Sequence, residues 1–165
     1  MNPDDFSIAL RIRHPSVDPA EITRRLDRTP LHAWRAGEPR EIEADDVGSP
    51  THRETYWLGV LPSRPQAPML GIVSGPQTAL LAAEAFKSTA THPAQVALYF
   101  TLLKMKRAAS FWREFAEQGG TVECLLQVHK AERFQLDLSQ ALLLALVELK
   151  ITLSIEVDGP LRAAA

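Results

Sequence analysis

The sequence predicts an α+β domain with four strands and three main helices in the order β-α-β-α-β-α-β. Three of the strands alternate apolar and polar residues with a period of two, which is typical of a sheet with one buried and one solvated face. Segments with helical periodicity separate the strands. We therefore expect a mostly antiparallel four-stranded sheet with its helices packed on one face. A doubly wound fold would show continuous Val and Ile runs and is disfavoured, whereas a ferredoxin-like variant is an alternative.

The first strand and first helix have the clearest local signals. Phe6, Ile8, Leu10 and Ile12 alternate with polar or small residues and predict a strand over 6–13. Asp18-Pro19-Ala20-Glu21 then predicts a helix start, with an acid at the N-cap, proline at the first helical position and glutamate at N3. Residues 28–50 form a long connection, and aromatic and β-branched residues predict a second strand over 53–61.

The second half of the chain alternates helices and strands. A short helix is expected at 78–87, and Pro93 begins the longest helix, which ends near Gln118 before two glycines. A third strand follows over 122–129. The helix Ser139–Leu149 leads directly into the fourth strand over 151–158.

Length and composition indicate one ordinary globular domain covering residues 1–165, with 62–90 an insertion or divergent stretch and 160–165 a frayed tail. The apolar share is 45% and the net charge is −2, so nothing in the overall charge attracts nucleic acid or an anionic membrane. The N-terminus is acidic, no apolar run is long enough to span a membrane, and Cys124 is the one cysteine. A soluble cytoplasmic protein without membrane contact is the expectation.

Four segments together resemble a known family. They are LRIRHPSVDPAEITRRL, TPLHAWRAGEP, ETYWLGV and FQLDLSQALLLALVELKITLSIEVD. With these motifs the chain resembles the bacterial domain-of-unknown-function family numbered 4279, over most of its length except about residues 62–90. The resemblance implies the architecture and brings with it no activity, cofactor or catalytic residue.

The candidates for catalytic chemistry favour structural interpretations. Histidines 14, 32, 52, 92 and 129 have no spacing that would place two metal ligands on one helix face, and they are interpreted as loop histidines in water. Ser74 in Gly71–Gly75 lacks the symmetric flanks of a nucleophile elbow. Cys124 is interpreted as a core residue, and the carboxylates at 41–46 as a solvated loop. We predict no catalytic residue, metal or cofactor.

The binding candidates lie at one corner and on one sheet face. Trp34, Arg35 and Gly37 form a corner that suits recognition of a carboxylate or a partner side chain, or else anchors the long loop to the core. Arg11 and Arg13 point outward and are expected to pair with Glu156 and Asp158. Trp57 is expected to join Leu125 in a modest outward interface. An RNA-binding face would carry more aromatic residues, which argues against nucleic acid.

These observations predict a non-catalytic protein-interaction module. Its surface would be the sheet face with the Trp34 loop, and its partner a protein or another copy of itself. The alternative is an enzyme or small-ligand binder that uses the cleft of the 28–50 loop, with Arg35 holding an anionic group.

Overall fold

The computed structural model describes residues 6–40, 51–61, 93–129 and 138–158. The predicted α+β class is confirmed, and within these ranges the chain forms five strands and four helices. In chain order they are β1 (Phe6–His14), α1 (Pro19–Leu26), β2 (His32–Trp34), β3 (Thr55–Leu61), α2 (Pro93–Lys106), α3 (Ala109–Glu117), β4 (Thr121–His129), α4 (Gln140–Glu148) and β5 (Ile151–Asp158).

The strands form one sheet in the spatial order β2-β3-β1-β4-β5. Three neighbouring pairs are antiparallel, and β4 and β5 are parallel. A parallel pair requires a crossover connection, which here contains α4. The prediction of a mostly antiparallel sheet is therefore confirmed, and β1 is its central strand.

Helix α1 begins as the sequence predicts. Asp18 is extended, with φ −72° and ψ 127°, and its carboxylate accepts a hydrogen bond from the backbone N–H of Ala20 at 2.8 Å. Pro19 occupies the first turn, where no intrahelical donor is lost. The helix ends at Asp27, which adopts the left-handed conformation with φ 49°.

The predicted single helix from Pro93 to Gln118 is wrong, because the chain bends between α2 and α3. The N–H groups of Arg107 and Ala108 bond three residues back, to the carbonyls of Lys104 and Met105, at 3.3 and 3.0 Å. A straight helix of that length would extend about 39 Å, whereas a nine-residue strand spans about 30 Å. The bend keeps Trp112 and Phe115 of α3 in the core.

Strand β2 lies inside the segment predicted as a connection, so the predicted number of four strands is too low. It is three residues long and pairs with β3 in the register His32↔Leu58 and Trp34↔Tyr56. Three residues are too few to show a strand periodicity, and Pro30 before them indicates a loop.

One core lies between the helices and one face of the sheet. Its strand residues are the inward positions of β1, β3, β4 and β5, and α1, α2, α3 and α4 all contribute buried apolar side chains to it. Trp57 is fully buried there, and its indole N–H donates to Thr23 Oγ1 of α1 at 3.0 Å. None of the described helices is long and apolar enough to cross a membrane.

Several predictions concern residues outside the described ranges. They are the short helix at 78–87, the insertion at 62–90, the Gly71–Gly75 segment with Ser74, His92, the acidic run at 41–46 and the tail at 160–165.

Candidate functional site on the outer face of the sheet

We call the side of the sheet opposite the core the outer face. It consists of the strand residues that alternate with the buried ones, because successive side chains of a strand point to opposite sides. The described helices turn their buried residues to the other side of the sheet. The outer face carries His32, Trp34, Tyr56, Leu58, Val60, Ser7, Ala9, Arg11, Arg13, Thr121, Glu123, Leu125, Gln127, Thr152, Ser154 and Glu156.

Three stacked rings, which we call the aromatic cluster, lie where β2 meets β3. The ring centroids of Trp34 and Tyr56 are 4.3 Å apart with an interplanar angle of 14°. Those of Trp34 and His52 are 4.6 Å apart with an angle of 19°. All three side chains are half-buried. The cluster therefore presents a preformed aromatic surface on this side of the sheet.

A backbone turn holds His52 beside Trp34. The turn runs from Arg35 to Glu38, whose N–H donates to the Arg35 carbonyl at 3.1 Å, and Gly37 takes φ 85° within it. This φ favours glycine, as in a type II turn. The N–H of Gly37 donates to the His52 carbonyl at 2.8 Å, and the N–H of His52 donates to the Glu38 carbonyl at 3.0 Å.

The same turn is tied to the start of α1 through a buried threonine. The N–H of Ala36 donates to Thr55 Oγ1 at 3.1 Å, and the Thr55 hydroxyl donates to the Val17 carbonyl at 2.7 Å. Thr55 is fully buried, so these bonds satisfy polar groups that water does not reach. The corner is thus part of the folded scaffold.

Arg35 extends from this corner toward α1. Its guanidinium lies 3.5 Å from the carboxylate of Asp18, and both side chains are about half exposed, so the ion pair contributes little stability. Residues 32–34, within the predicted cleft-forming loop, are a strand of the sheet. The described contacts of Arg35 therefore give no specific support to the alternative in which Arg35 holds an anionic ligand.

Arg11 and Arg13 lie on the outer face as expected, but their predicted partners are wrong. Arg11 pairs with Glu123 at 2.6 Å, and Arg13 lies 3.7 Å from Glu54. The reason is strand order: β4 stands between β1 and β5, so the residues of β5 are two strands away from both arginines.

Glu123 is the centre of a small polar network. It accepts hydrogen bonds from the Ser154 hydroxyl and from Arg11. The Ser154 bond, followed by the Arg11 bond and charge, lowers the pKa of Glu123 against the opposing effect of desolvation. The carboxylate therefore stays charged and engaged, and the Arg11–Glu123 pair neutralises the middle of the face.

An apolar row crosses three strands of the outer face. Val60 of β3 and Leu125 of β4 both lie directly opposite Ala9 of β1. Val60 is 50% exposed, and Leu125 is half-buried. Leu125 lies on this face as the sequence predicts. The prediction that Trp57 joins it is wrong, because the two-residue period of β3 turns Trp57 into the core.

Two histidines contradict the interpretation of loop residues in water. His52 stacks in the aromatic cluster, and His14 is buried at the end of β1. The Nδ1 atom of His14 accepts the N–H groups of Ser16 and Val17 at 3.0 and 2.9 Å, and burial lowers the pKa of His14. Among the described residues, no three His, Cys, Asp or Glu side chains are grouped so as to hold a metal ion.

Cys124 is buried, as the alternation of β4 predicts. Desolvation raises the pKa of its thiol to about 12, with a smaller contribution from the charge of Glu123. The thiolate, which is the reactive form of cysteine, is therefore scarce at neutral pH.

His52 and the exposed position of Val60 are two features of the site that were not predicted from the sequence. A signal for Val60 was present, because a buried Trp57 places residues 56, 58 and 60 on the opposite side of the strand. No signal placed His52 near Trp34, since that contact depends on how the chain returns after residues that carry no strand pattern.

Comparisons with protein-family models, with curated proteins and with solved structures found no match to this chain. The fold and the site define an α+β protein with a five-stranded mixed sheet and an aromatic cluster beside an apolar row on the outer face. The likeness to the family numbered 4279 stays a prediction from the sequence motifs.

Proposed function

We propose that this chain is a protein-interaction module that binds a second copy of itself through the outer face of the sheet. One observation carries the proposal: on the outer face, the apolar row has polar side chains on both sides of it along the strands. Val60, Ala9 and Leu125 form the row, Arg11 and Arg13 lie toward one end of the strands, and Gln127 and Glu156 lie toward the other.

This arrangement is self-complementary. A two-fold axis along the row, perpendicular to the strands, places the row of one copy on the row of the other. The same rotation places Arg11 of one copy over Ser7 of the other, Glu123 over Gln127, and Thr152 over Glu156. Arg11 keeps Glu123 as its partner within its own chain. Such an interface repeats the same contacts twice, as closed dimers do, and it avoids stacking the arginines on one another.

Exposed apolar side chains supply the attraction. Val60 is half exposed, Leu125 is half-buried, and Ala9 between them is 9% exposed. Leu58, which is also half-buried, lies between Val60 and the aromatic cluster on β3. Apolar residues at the centre with polar residues around them are the usual composition of a protein interface. Aromatic side chains are also enriched at such contacts.

The test is the mass of the purified protein in solution as a function of concentration, measured by sedimentation equilibrium. We expect the mass to rise from that of one chain, 18.3 kDa, toward twice that value. Val60→Lys places a charge at the centre of the interface and should keep the protein monomeric across the same range.

The matched control is Val147→Lys. Val147 is 67% exposed on α4, away from the outer face, so the same substitution there should leave the association unchanged. A wild-type protein that stays monomeric at every concentration would contradict the proposal. So would a Val147→Lys protein that loses the dimer while Val60→Lys keeps it.

A further inference from the structure

A second feature, independent of the outer face, lies on the helix side of the sheet where the C-terminal ends of α1 and α2 meet. It is a cleft of about 480 Å³, which we call the basic cleft. Its lining residues are Arg24, Arg25, Asp27, Lys104, Arg107 and Ala108.

Carboxylates balance only part of this charge. Arg24 and Arg25 share the carboxylate of Glu21, and the Arg25 guanidinium also lies 4.9 Å from the ring centroid of Phe111. Arg107, in the bend between α2 and α3, forms no ion pair within the described part of the chain. The same is true of Arg28, which follows α1 and acts electrostatically on Lys104.

Lys104 is the most buried cation of the cleft. Its side chain is 20% exposed, and its ammonium lies 3.7 Å from the carboxylate of Asp27, which is itself 93% exposed and open to water. Desolvation lowers the pKa of Lys104, and the charges of Arg28 and Arg107 act in the same direction, against the opposing effect of Asp27. The ammonium also lies 3.5 Å from the Asp27 carbonyl oxygen. Because Asp27 is open to water, it offsets the positive charge of Lys104 only in part.

Cations at helix C-termini also offset the helix dipole. This effect accounts for part of the positive charge around the basic cleft. Each helix end carries about half a negative charge, so two ends amount to about one. Arg24, Arg25, Arg28, Lys104 and Arg107 supply five positive charges, and Glu21 and Asp27 supply two negative ones. An excess of about two positive charges remains after the dipoles are counted.

We propose that the basic cleft binds a small phosphate-bearing anion. Guanidinium groups donate pairs of hydrogen bonds that match phosphate oxygens, and a lysine ammonium adds a point charge to the same ligand. The cations converge on one concavity, whereas an extended polyanion would call for a stripe of them.

The experiment is isothermal titration calorimetry with inorganic pyrophosphate, using the full chain at fixed ionic strength. We expect saturable binding that weakens as KCl is added. The double variant Lys104→Gln with Arg107→Gln should bind at least about tenfold more weakly, since hydrogen bonds to charged groups contribute that much. Arg53→Gln is the matched control, because Arg53 is an exposed arginine outside the cleft.

Arg107→Gln alone provides a second variant that should fold normally, because Arg107 is exposed and forms no ion pair with another described residue. It should weaken binding several-fold while the melting temperature stays unchanged. Adenosine diphosphate serves as a second probe. Tighter binding of the diphosphate than of pyrophosphate would support a nucleotide as the source of the phosphate, and equal binding would support a site for the phosphates alone.

The absence of saturable heat with both probes would overturn the proposal. Equal weakening by Arg53→Gln would also overturn it, since the effect would then reflect overall charge. Retention of duplex DNA without binding of pyrophosphate would do the same. None of these outcomes depends on self-association through the outer face.

Discussion

Trp34 and Tyr56 lie directly opposite each other on β2 and β3, and their rings stack with centroids 4.3 Å apart. Strand β2 has only three residues and lies at the edge of the sheet, so few backbone bonds hold it in place. The stacked pair adds side-chain packing to the backbone bonds that hold β2 and the turn after it.

A double-mutant cycle measures this attachment. We expect Trp34→Ala and Tyr56→Ala to show a coupling of about 0.5–1.5 kcal/mol in the free energy of unfolding, as aromatic pairs do. Urea unfolding of the four proteins at low concentration provides the measurement. Trp34→Ala combined with Val147→Ala is the control cycle, which should be additive because Val147 is on α4. Additivity in the first cycle would show that the stacking contributes nothing.

Gly59 is a position where a side chain has no room. A Cβ atom there would lie 2.3 Å from an atom of the Trp57 ring, and Trp57 is fully buried and hydrogen-bonded to Thr23. The ring cannot move without disturbing the core, so Gly59→Ala should lower the free energy of unfolding by about 1–3 kcal/mol.

Gly37 provides the comparison for Gly59. No atom lies within 4 Å of a Cβ built there, and the only demand is its φ of 85°. Gly37→Asn should therefore cost less than Gly59→Ala, because asparagine tolerates the left-handed region. Equal melting temperatures for Gly59→Ala and the wild type would refute the packing argument.

His14 is expected to make stability depend on pH. Burial lowers its pKa in the folded state below 6.5, so the unfolded chain takes up a proton more readily than the folded one. The stability contributed by neutral His14 is complete above pH 6.5 and decreases as the pH falls from 6.5 through the lowered pKa.

His14→Asn isolates this effect. The amide oxygen of asparagine can accept the N–H groups of Ser16 and Val17 in place of Nδ1, but it does not titrate. The loss of stability between pH 6.5 and 5, measured by urea unfolding, should be smaller in the variant than in the wild type. Identical pH profiles would assign the loss to other groups.

Cys124 is expected to be unreactive in the folded protein. Its thiol is buried and its pKa is raised to about 12. An aromatic disulfide reagent at pH 8 should therefore modify it only after urea unfolds the chain. Rapid and complete modification under native conditions would mean that the strand opens locally.

The parts of the fold that were predictable have strong local patterns. Asp18 caps α1 and Ser139 caps α4, and both helices begin within a residue of the predicted position. Strands β1, β4 and β5 also agree with their predicted ranges within one residue, because seven or more alternating positions define a strand face. The α2–α3 bend carries no glycine or proline, so no local signal in the sequence predicts it.

The candidate site was predictable only in part. Trp34 lies on the outer face of the sheet. Arg11 and Arg13 also lie on this face, as their alternation predicts. Trp57, by contrast, packs in the core, since the sequence did not show which of two adjacent aromatic residues faces inward. His52 joins the site through the turn at Arg35–Glu38. That turn depends on the left-handed φ of Gly37 and on the hydrogen bond from Ala36 to Thr55 of β3.

The amino-acid sequence by itself determined the fold class, the caps of α1 and α4, and the buried faces of β1 and β4. These properties depend on neighbours within a few residues, where periodicity and capping act. Only the tertiary structure decided the strand order, and with it the pairing of Arg11 with Glu123 across 112 residues of chain. The physical reason is that more than one strand order buries the same apolar faces, and the choice among them depends on packing between distant segments.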